Sequence, residues 1–307
     1  MGMAWLMFLV WGPVLTGLVL ALVWWLLRGR RAGLPDGSVR SIPGVVGLVL
    51  LLAVAFERLA GVPLVLSFDV PMVLTGWHAH YWFAFPLLVG ILALVVLAFP
   101  AHPRAGQGAA ALSPRTPISF GRRRWFATPT VLVALILLVT VLAGSPSSPD
   151  PTTGRYMMYN VDIGGEYSMG ASIYGWFYSV PCLFLLVLML AATYLDLFLI
   201  SRPALDHDYA RDALIRTART RNILAVATGA LLVHFAFILQ PLAGTASMRG
   251  QFTAAGGTVN SWTTFAALEP VLHGASFALL ALGVAYWATV LLSAIPMRQP
   301  AKSTVTS

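Results

Sequence analysis

Residues 222–243 read NILAVATGALLVHFAFILQPLA, an apolar run that contains no Asp, Glu, Lys or Arg. At a rise of about 1.5 Å per residue, a helix of this length crosses roughly 30 Å of hydrocarbon. The run therefore indicates a transmembrane helix. It carries one ionisable side chain, His234, well inside the apolar region.

The rest of the chain has the same character. Of its 307 residues, 58% are hydrophobic and only 10% are charged, and the mean hydropathy is +0.81. A soluble domain has roughly 25% charged residues, and one core of this length cannot enclose so many apolar side chains. The composition excludes a water-soluble globule and predicts an all-α, polytopic transmembrane helix bundle in which residues 1–300 form one domain.

Apolar runs long enough to cross a bilayer occur seven times. The predicted spans are 4–27, 44–62, 77–99, 126–143, 173–200, 222–243 and 266–295. The second span contains Glu57 and Arg58, so whether it crosses fully is left open. An odd number of crossings places the two termini on opposite sides of the membrane.

The segments between the spans are more polar. Residues 101–124 are rich in Pro, Gly, Ala and Arg and predict a flexible cytoplasmic loop, whereas residues 144–172 predict an extracytoplasmic loop or small cap. Residues 297–307 form a polar cytoplasmic tail. In the fifth loop, Asp212 and Arg216 are four residues apart, which predicts an ion pair on a polar helix that continues into the sixth span.

Basic residues set the expected orientation, because short cytoplasmic loops carry an excess of Lys and Arg. Most of the 19 lie in the first, third and fifth loops and in the tail, whereas the second, fourth and sixth loops hold only Arg58, Arg155 and Arg249. The N-terminus is therefore predicted outside and the C-terminus inside. Tryptophans near the span ends agree with interfacial belts, with Trp287 in the inner one.

Several functional classes lack their sequence signals. Cys182 is the only cysteine, and the only lysine, Lys302, lies in the tail, which excludes an intrachain disulfide and a Schiff-base lysine inside the bundle. The usual ATPase, zincin and serine-hydrolase motifs do not occur, so no enzyme class is indicated. The net charge of +8 is attributed to a basic collar on anionic lipid headgroups, and nucleic acid is not needed to explain it.

Ionisable residues at membrane depth give the candidate site, since such residues normally face the bundle or a water-filled cavity. They are Glu57, His234, Glu269 and His273. His234 and His273 are both predicted roughly 10–14 Å below the outer surface. Glu269 is four residues before His273, so its carboxylate is expected one helical turn from that imidazole.

Three hypotheses compete for these residues. The working hypothesis is binding or translocation of a small solute or ion at an outward-facing His/Glu site. The first alternative is a redox component that binds haem b or copper through His234 and His273, joined by His78 or His80. The second is a structural or accessory subunit that contacts partner subunits of a membrane complex, with these side chains serving only as interhelical hydrogen bonds.

The expected location is the plasma membrane of a bacterium. The chain has 18 arginines against one lysine, which indicates a GC-rich bacterial source. The lipid bilayer is then its first partner.

Overall fold

The structure, a computed structural model, describes residues 3–29, 41–60, 81–99, 116–164, 167–201, 209–254 and 257–295. It is mostly helical (76%). Within these ranges the α-helices are α1 Met3–Leu27, α2 Ser41–Ala60, α3 Phe85–Ala98, α4 Arg123–Gly144, α5 Trp176–Ser201, α6 Tyr209–Ala246 and α7 Glu269–Leu292. A short 3₁₀ turn, Ala266–Leu268, leads directly into α7.

Six of these described helices are long and apolar enough to cross a membrane, and α3, with 14 residues, is shorter. The chain is therefore compatible with a multi-pass membrane protein. The third predicted span, 77–99, begins in residues outside the described ranges, and its described helix starts only at Phe85. The predicted tail, 297–307, and residues 101–115 of the third loop also lie outside them.

Helix α2 runs through the two charges that interrupt its apolar sequence. Glu57 and Arg58 are both buried, and Nε of Arg58 donates to the Glu57 carboxylate at 2.6 Å. The guanidinium also lies 5.1 Å from the ring centre of Phe237 on α6. The helix contains this ion pair in its interior-facing part and continues to Ala60.

Helix α6 is the centre of the bundle. Every residue in the apolar segment of α6 is buried. In each of the other five long helices, at most 39% of the apolar segment is buried. Helix α6 packs against α3, α4, α5 and α7, while α1 and α2 pack mainly on α7. Large apolar side chains on the outer helices, such as Leu52, Leu142 and Val187, remain exposed, as expected of surfaces in contact with lipid.

Contacts of the first half of α6 define one end of the bundle. The Arg219 guanidinium donates to the Leu97 carbonyl at the end of α3, and the Asn222 amide donates to Ser293 at the end of α7, both at 3.0 Å. Arg216 reaches the Ile200 carbonyl at the end of α5. We call this the arginine end, because all described arginines except those at positions 58, 155 and 249 lie there.

The directions of the first two helices follow from their contacts with α7. Gly17 of α1 packs against Ala281, and Trp24, further along α1, lines a cavity with Thr289, so α1 runs in the same direction as α7. Gly47, early in α2, packs against Leu291 at the arginine end. The described helices α1 to α7 therefore alternate in direction along the chain.

The opposite end, which we call the hairpin end, carries two small antiparallel sheets. One contains β1 Ser148–Pro149, β2 Tyr156–Gly164 and β3 Tyr167–Ser172, and the other contains β4 Arg249–Ala254 and β5 Gly257–Trp262. The expected all-α class therefore describes the bundle but not these two loops. In the second half of β2, Tyr159, Val161 and Ile163 alternate with Asn160 and Asp162 before Gly164-Gly165, a pattern typical of a hairpin strand.

The turn between β1 and β2 is held by a carboxylate. Asp150 accepts hydrogen bonds from the backbone N–H groups of Thr152 at 2.7 Å and Thr153 at 2.8 Å. These donors favour the ionised form and hold the pKa of Asp150 below its ordinary value. The chain then turns through Gly154, whose φ of 67° suits glycine.

A pair of glycines brings α6 and α7 into close contact. A Cβ atom on Gly283 would lie 2.6 Å from Cγ2 of Val233 and 3.1 Å from the carbonyl oxygen of Gly229. A Cβ on Gly229 would lie against the Trp287 indole and 3.2 Å from the Gly283 carbonyl oxygen. Small residues at such a crossing allow the two backbones to approach, as in other membrane helix pairs.

Gly283→Ala is expected to lower the free energy of unfolding by about 1–3 kcal/mol, because the added methyl group overpacks this crossing. Gly274→Ala on the same helix is the matched control, since a Cβ there meets no atom within 4 Å. The control is expected to be neutral or to stabilise the helix by up to ~1 kcal/mol. Unfolding midpoints in detergent measure both, and equal shifts would show that the crossing is not tightly packed.

Candidate functional site

His234 lies at the core of the bundle on α6. Its side chain is 0% exposed, and Nδ1 is 2.9 Å from the backbone carbonyl oxygen of Phe83, just before α3. A carbonyl only accepts, so Nδ1 must carry the hydrogen. In the neutral imidazole, Nε2 is then an acceptor, and Nε2 has no hydrogen-bond partner among the described residues.

One buried aromatic side chain lies beside this imidazole, and three further small buried side chains lie on α4 and α5. The ring centre of Tyr174 lies 6.2 Å from that of His234, and the Tyr174 hydroxyl faces Cys182 and Thr140. Ser179 is one helical turn before Cys182 on the same face of α5. We call these five residues the interior polar cluster.

The interior polar cluster has unused hydrogen-bonding capacity. Within the described structure, the hydroxyls of Thr140, Tyr174 and Ser179 and Nε2 of His234 are buried without a hydrogen-bond partner. A buried polar atom left in this state costs roughly 1–3 kcal/mol. Hydroxyl groups both donate and accept, so these side chains keep hydrogen-bonding capacity in the interior of the bundle.

Glu269 and His273 lie elsewhere, in the first turns of α7. Glu269 forms an ion pair with Arg249 at 3.8 Å, and the Arg249 side chain is 75% exposed. His273 is exposed, and its backbone carbonyl accepts the Ser276 hydroxyl at 2.9 Å. The structure therefore does not bring His273 to the buried His234.

The remaining predicted site residues are separate from both groups. Glu57 is buried on α2 in its pair with Arg58. His78 and His80 lie outside the described residues. The part of the chain that the structure describes contains no group of three or more His, Cys, Asp or Glu residues able to hold a metal ion. The haem or copper alternative thus gains no support from the described geometry.

Charged pairs occupy the interior at the arginine end. The predicted pair is confirmed, with Nε of Arg216 donating to Asp212 at 2.8 Å. Arg216 is fully buried and lies 5.2 Å from the ring centre of Phe120. On α5, buried Asp196 interacts electrostatically with Arg219, while its Oδ2 has no hydrogen-bond partner within the described ranges.

A cavity of about 830 Å³ opens at the arginine end between α1, α4, α6 and α7. Arg28, Arg122, Arg124 and Arg221 contribute its basic groups, and no Asp or Glu belongs to this described lining. Leucine, alanine, tryptophan and threonine form most of the remaining wall. The cavity is thus basic at its mouth and mainly apolar along its depth.

Sequence reasoning identified His234 but missed its actual neighbours. Thr140, Ser179 and Cys182 lie in apolar runs where a hydroxyl or thiol is weakly polar, and no periodic pattern marks the face they share. Burial of an Arg, Asp or His is a clear signal in a membrane span, whereas a single Ser or Thr is common in helix packing. The cavity was missed because it joins residues of four distant segments.

The structure is a mostly helical bundle, compatible with a multi-pass membrane protein, and it contains buried polar side chains in its interior. Comparison with known proteins gives no match: no protein-family model, no curated protein and no solved structure is similar to the chain.

Proposed function

We propose that the chain is a seven-span protein of a bacterial plasma membrane, with its N-terminus outside and its C-terminus inside. The alternating directions of α1 to α7 support seven crossings, with α3 as the described part of the third. The concentration of arginines at one end of the bundle supports a cytoplasmic location for that end.

We propose further that the protein binds and translocates a small ion, the proton, through the interior polar cluster. The observation that carries this proposal is His234, which is fully buried, has one nitrogen bound to a carbonyl and keeps the other available as an acceptor. Histidine is the side chain whose unperturbed pKa lies closest to neutral pH, and its imidazole can bind a proton at either ring nitrogen. Buried His and Asp residues form proton relays in membrane pumps and transporters.

The neighbouring hydroxyls favour a proton over a metal cation. Tyr174, Ser179 and Thr140 are uncharged, whereas Mg²⁺ or Ca²⁺ would need carboxylate oxygens around it. Asp196 supplies a second proton-binding group on α5, 14 residues beyond Cys182 and so about 21 Å along the helix. A proton cannot be transferred directly over that distance. Its passage between the cluster and Asp196 therefore requires bridging water or a movement of α5 against α6.

Proton flux into pyranine-loaded vesicles tests this function. Vesicles that contain the wild-type protein should dissipate an imposed pH gradient faster than protein-free vesicles, with valinomycin and K⁺ clamping the potential. His234→Asn should return the rate to the protein-free level. Asn can still donate to the Phe83 carbonyl in place of Nδ1, so the substitution removes the titratable ring while keeping that bond.

His273→Asn is the matched control, because it makes the same chemical change on the exposed surface of α7. It should leave the flux at the wild-type rate. Equal rates for wild-type and protein-free vesicles would refute proton translocation. Wild-type flux in a folded His234→Asn protein would remove His234 from the path.

A further inference from the structure

The basic groups of the cavity at the arginine end converge from three directions. Arg28 directly follows α1, Arg122 directly precedes α4, Arg124 lies in the first turn of α4, and Arg221 lies on α6. Arginine presents a planar set of N–H donors that matches the oxygens of phosphate. With four arginines and no carboxylate in its described lining, the mouth of the cavity is complementary to an anion.

The walls behind these arginines suit an acyl chain. Leu224 and Ala225 of α6 and Ala285 of α7 form part of the inner wall. Leu20 of α1 and Leu282 of α7 also line the cavity and are 45% and 44% exposed, so the wall is continuous with the apolar outer surface of the bundle. A hydrocarbon chain can therefore enter from the side without leaving the lipid phase.

The length of the cavity matches one leaflet. Its wall on α6 extends from Thr217 to Thr228, which is about 16 Å along the helix. The hydrocarbon core is about 30 Å thick, so each leaflet contributes about half of that. Trp24 and Trp125 line the cavity near its basic mouth, and tryptophan is enriched at the level of lipid headgroups.

From this arrangement we infer that the cavity is a binding site for an anionic glycerophospholipid of the leaflet at the arginine end. The headgroup phosphate lies among Arg28, Arg122, Arg124 and Arg221, and an acyl chain lies against the wall formed by α6 and α7. Basic pockets between transmembrane helices recognise phospholipid headgroups in this way. The inference does not depend on proton translocation, since none of the cavity residues belongs to the interior polar cluster.

The test uses the purified, delipidated full chain in detergent. Dioleoyl-phosphatidylglycerol, dioleoyl-phosphatidylcholine and inorganic phosphate are titrated separately, and binding is followed by the thermal unfolding midpoint and by native mass spectrometry. Phosphatidylglycerol should raise the midpoint and remain bound, whereas phosphatidylcholine and inorganic phosphate should have little effect. Arg124→Gln should weaken phosphatidylglycerol binding about fivefold, since one arginine near an anionic surface is worth ~1 kcal/mol.

Arg123→Gln is the matched control, because it removes the same charge from the adjacent position of α4, which does not line the cavity. Its affinity should equal that of the wild type. Ala285→Phe should fill the apolar wall and abolish the effect of phosphatidylglycerol with every arginine in place. If that bulky side chain prevents folding, Arg28→Gln on the opposite wall provides the second test, again with a loss of about fivefold.

Three results would overturn the inference. Equal stabilisation by phosphatidylcholine would show that the arginines do not select an anionic headgroup. An equal effect of inorganic phosphate would identify a site for the free anion instead of a lipid. Equal weakening by Arg123→Gln and Arg124→Gln would show that surface charge alone attracts the lipid.

Discussion

Asp212→Ala is expected to lower the free energy of unfolding by about 3–5 kcal/mol, the usual cost of removing one partner from a buried ion pair. Arg216 is 0% exposed, and its Nε donates to Asp212 at 2.8 Å. It also contacts the Ile200 carbonyl and the Phe120 ring. Without Asp212, the buried guanidinium would lose this carboxylate at 2.8 Å.

The unfolding free energy in mixed dodecyl maltoside and SDS micelles measures this loss. Glu269→Ala is the control, because Glu269 faces a largely exposed Arg249 at 3.8 Å, and such pairs are worth about 0–1 kcal/mol. Replacing both Asp212 and Arg216 by Leu and Met should recover much of the stability, since apolar substitutes for a buried pair are often neutral. Similar small losses for Asp212→Ala and Glu269→Ala would contradict the assignment.

Trp287→Ala should be as damaging, with an expected loss of about 3–5 kcal/mol. Trp287 is 1% exposed and fills the space beside Gly229 where α6 and α7 cross. Its indole N–H donates to the Val226 carbonyl at 3.1 Å. Alanine would leave a large cavity at the contact between the central helix and α7.

Two further tryptophan variants separate packing from hydrogen bonding. Trp287→Phe keeps most of the ring volume and loses the N–H donor, for an expected cost of ~1 kcal/mol beyond any change in packing. Trp262→Ala, at a side chain that is 61% exposed on β5, should change stability by no more than about 0.5 kcal/mol. A loss for Trp287→Ala no larger than for Trp262→Ala would refute the tight crossing.

Six of the described helices, all long and apolar, were predictable because crossing a bilayer requires a minimum apolar length. The run at 222–243 lies within α6, and the polar segment before it joins the same helix, as the Asp212–Arg216 spacing predicted. The prediction left the second span uncertain because of Glu57 and Arg58, and α2 continues through both. A count of charged residues along the sequence does not show that the side chains of Glu57 and Arg58 form an ion pair with each other.

Which face of each helix points inward was not predictable. In a soluble protein the polar face marks the outside, but in lipid the inside and the outside of the bundle are equally apolar. Similar depth therefore paired His234 with His273, although one is buried and the other exposed. Trp287 was assigned to the interfacial belt for the same reason, whereas it packs between two helices.

The strands at the hairpin end were missed because the length of the loop does not distinguish a folded cap from an irregular segment. Residues 144–172 open with Ser and Pro, which favours an irregular chain, while the aromatic and branched residues that pair in β2 follow later. Tyr159 of β2 bonds Thr264 at 3.0 Å and so links the two loops. That contact spans 105 residues and has no local signature.

The burial of α6 constrains biosynthesis. Five described helices are synthesised before α6, and three of them, α3, α4 and α5, pack against it. Until α6 has been made, those three helices lack their contacts with it, and α1 lacks its main contacts until α7 has also been made. A nascent chain arrested before residue 209 lacks the central helix α6. Quality-control proteases should therefore remove it rapidly.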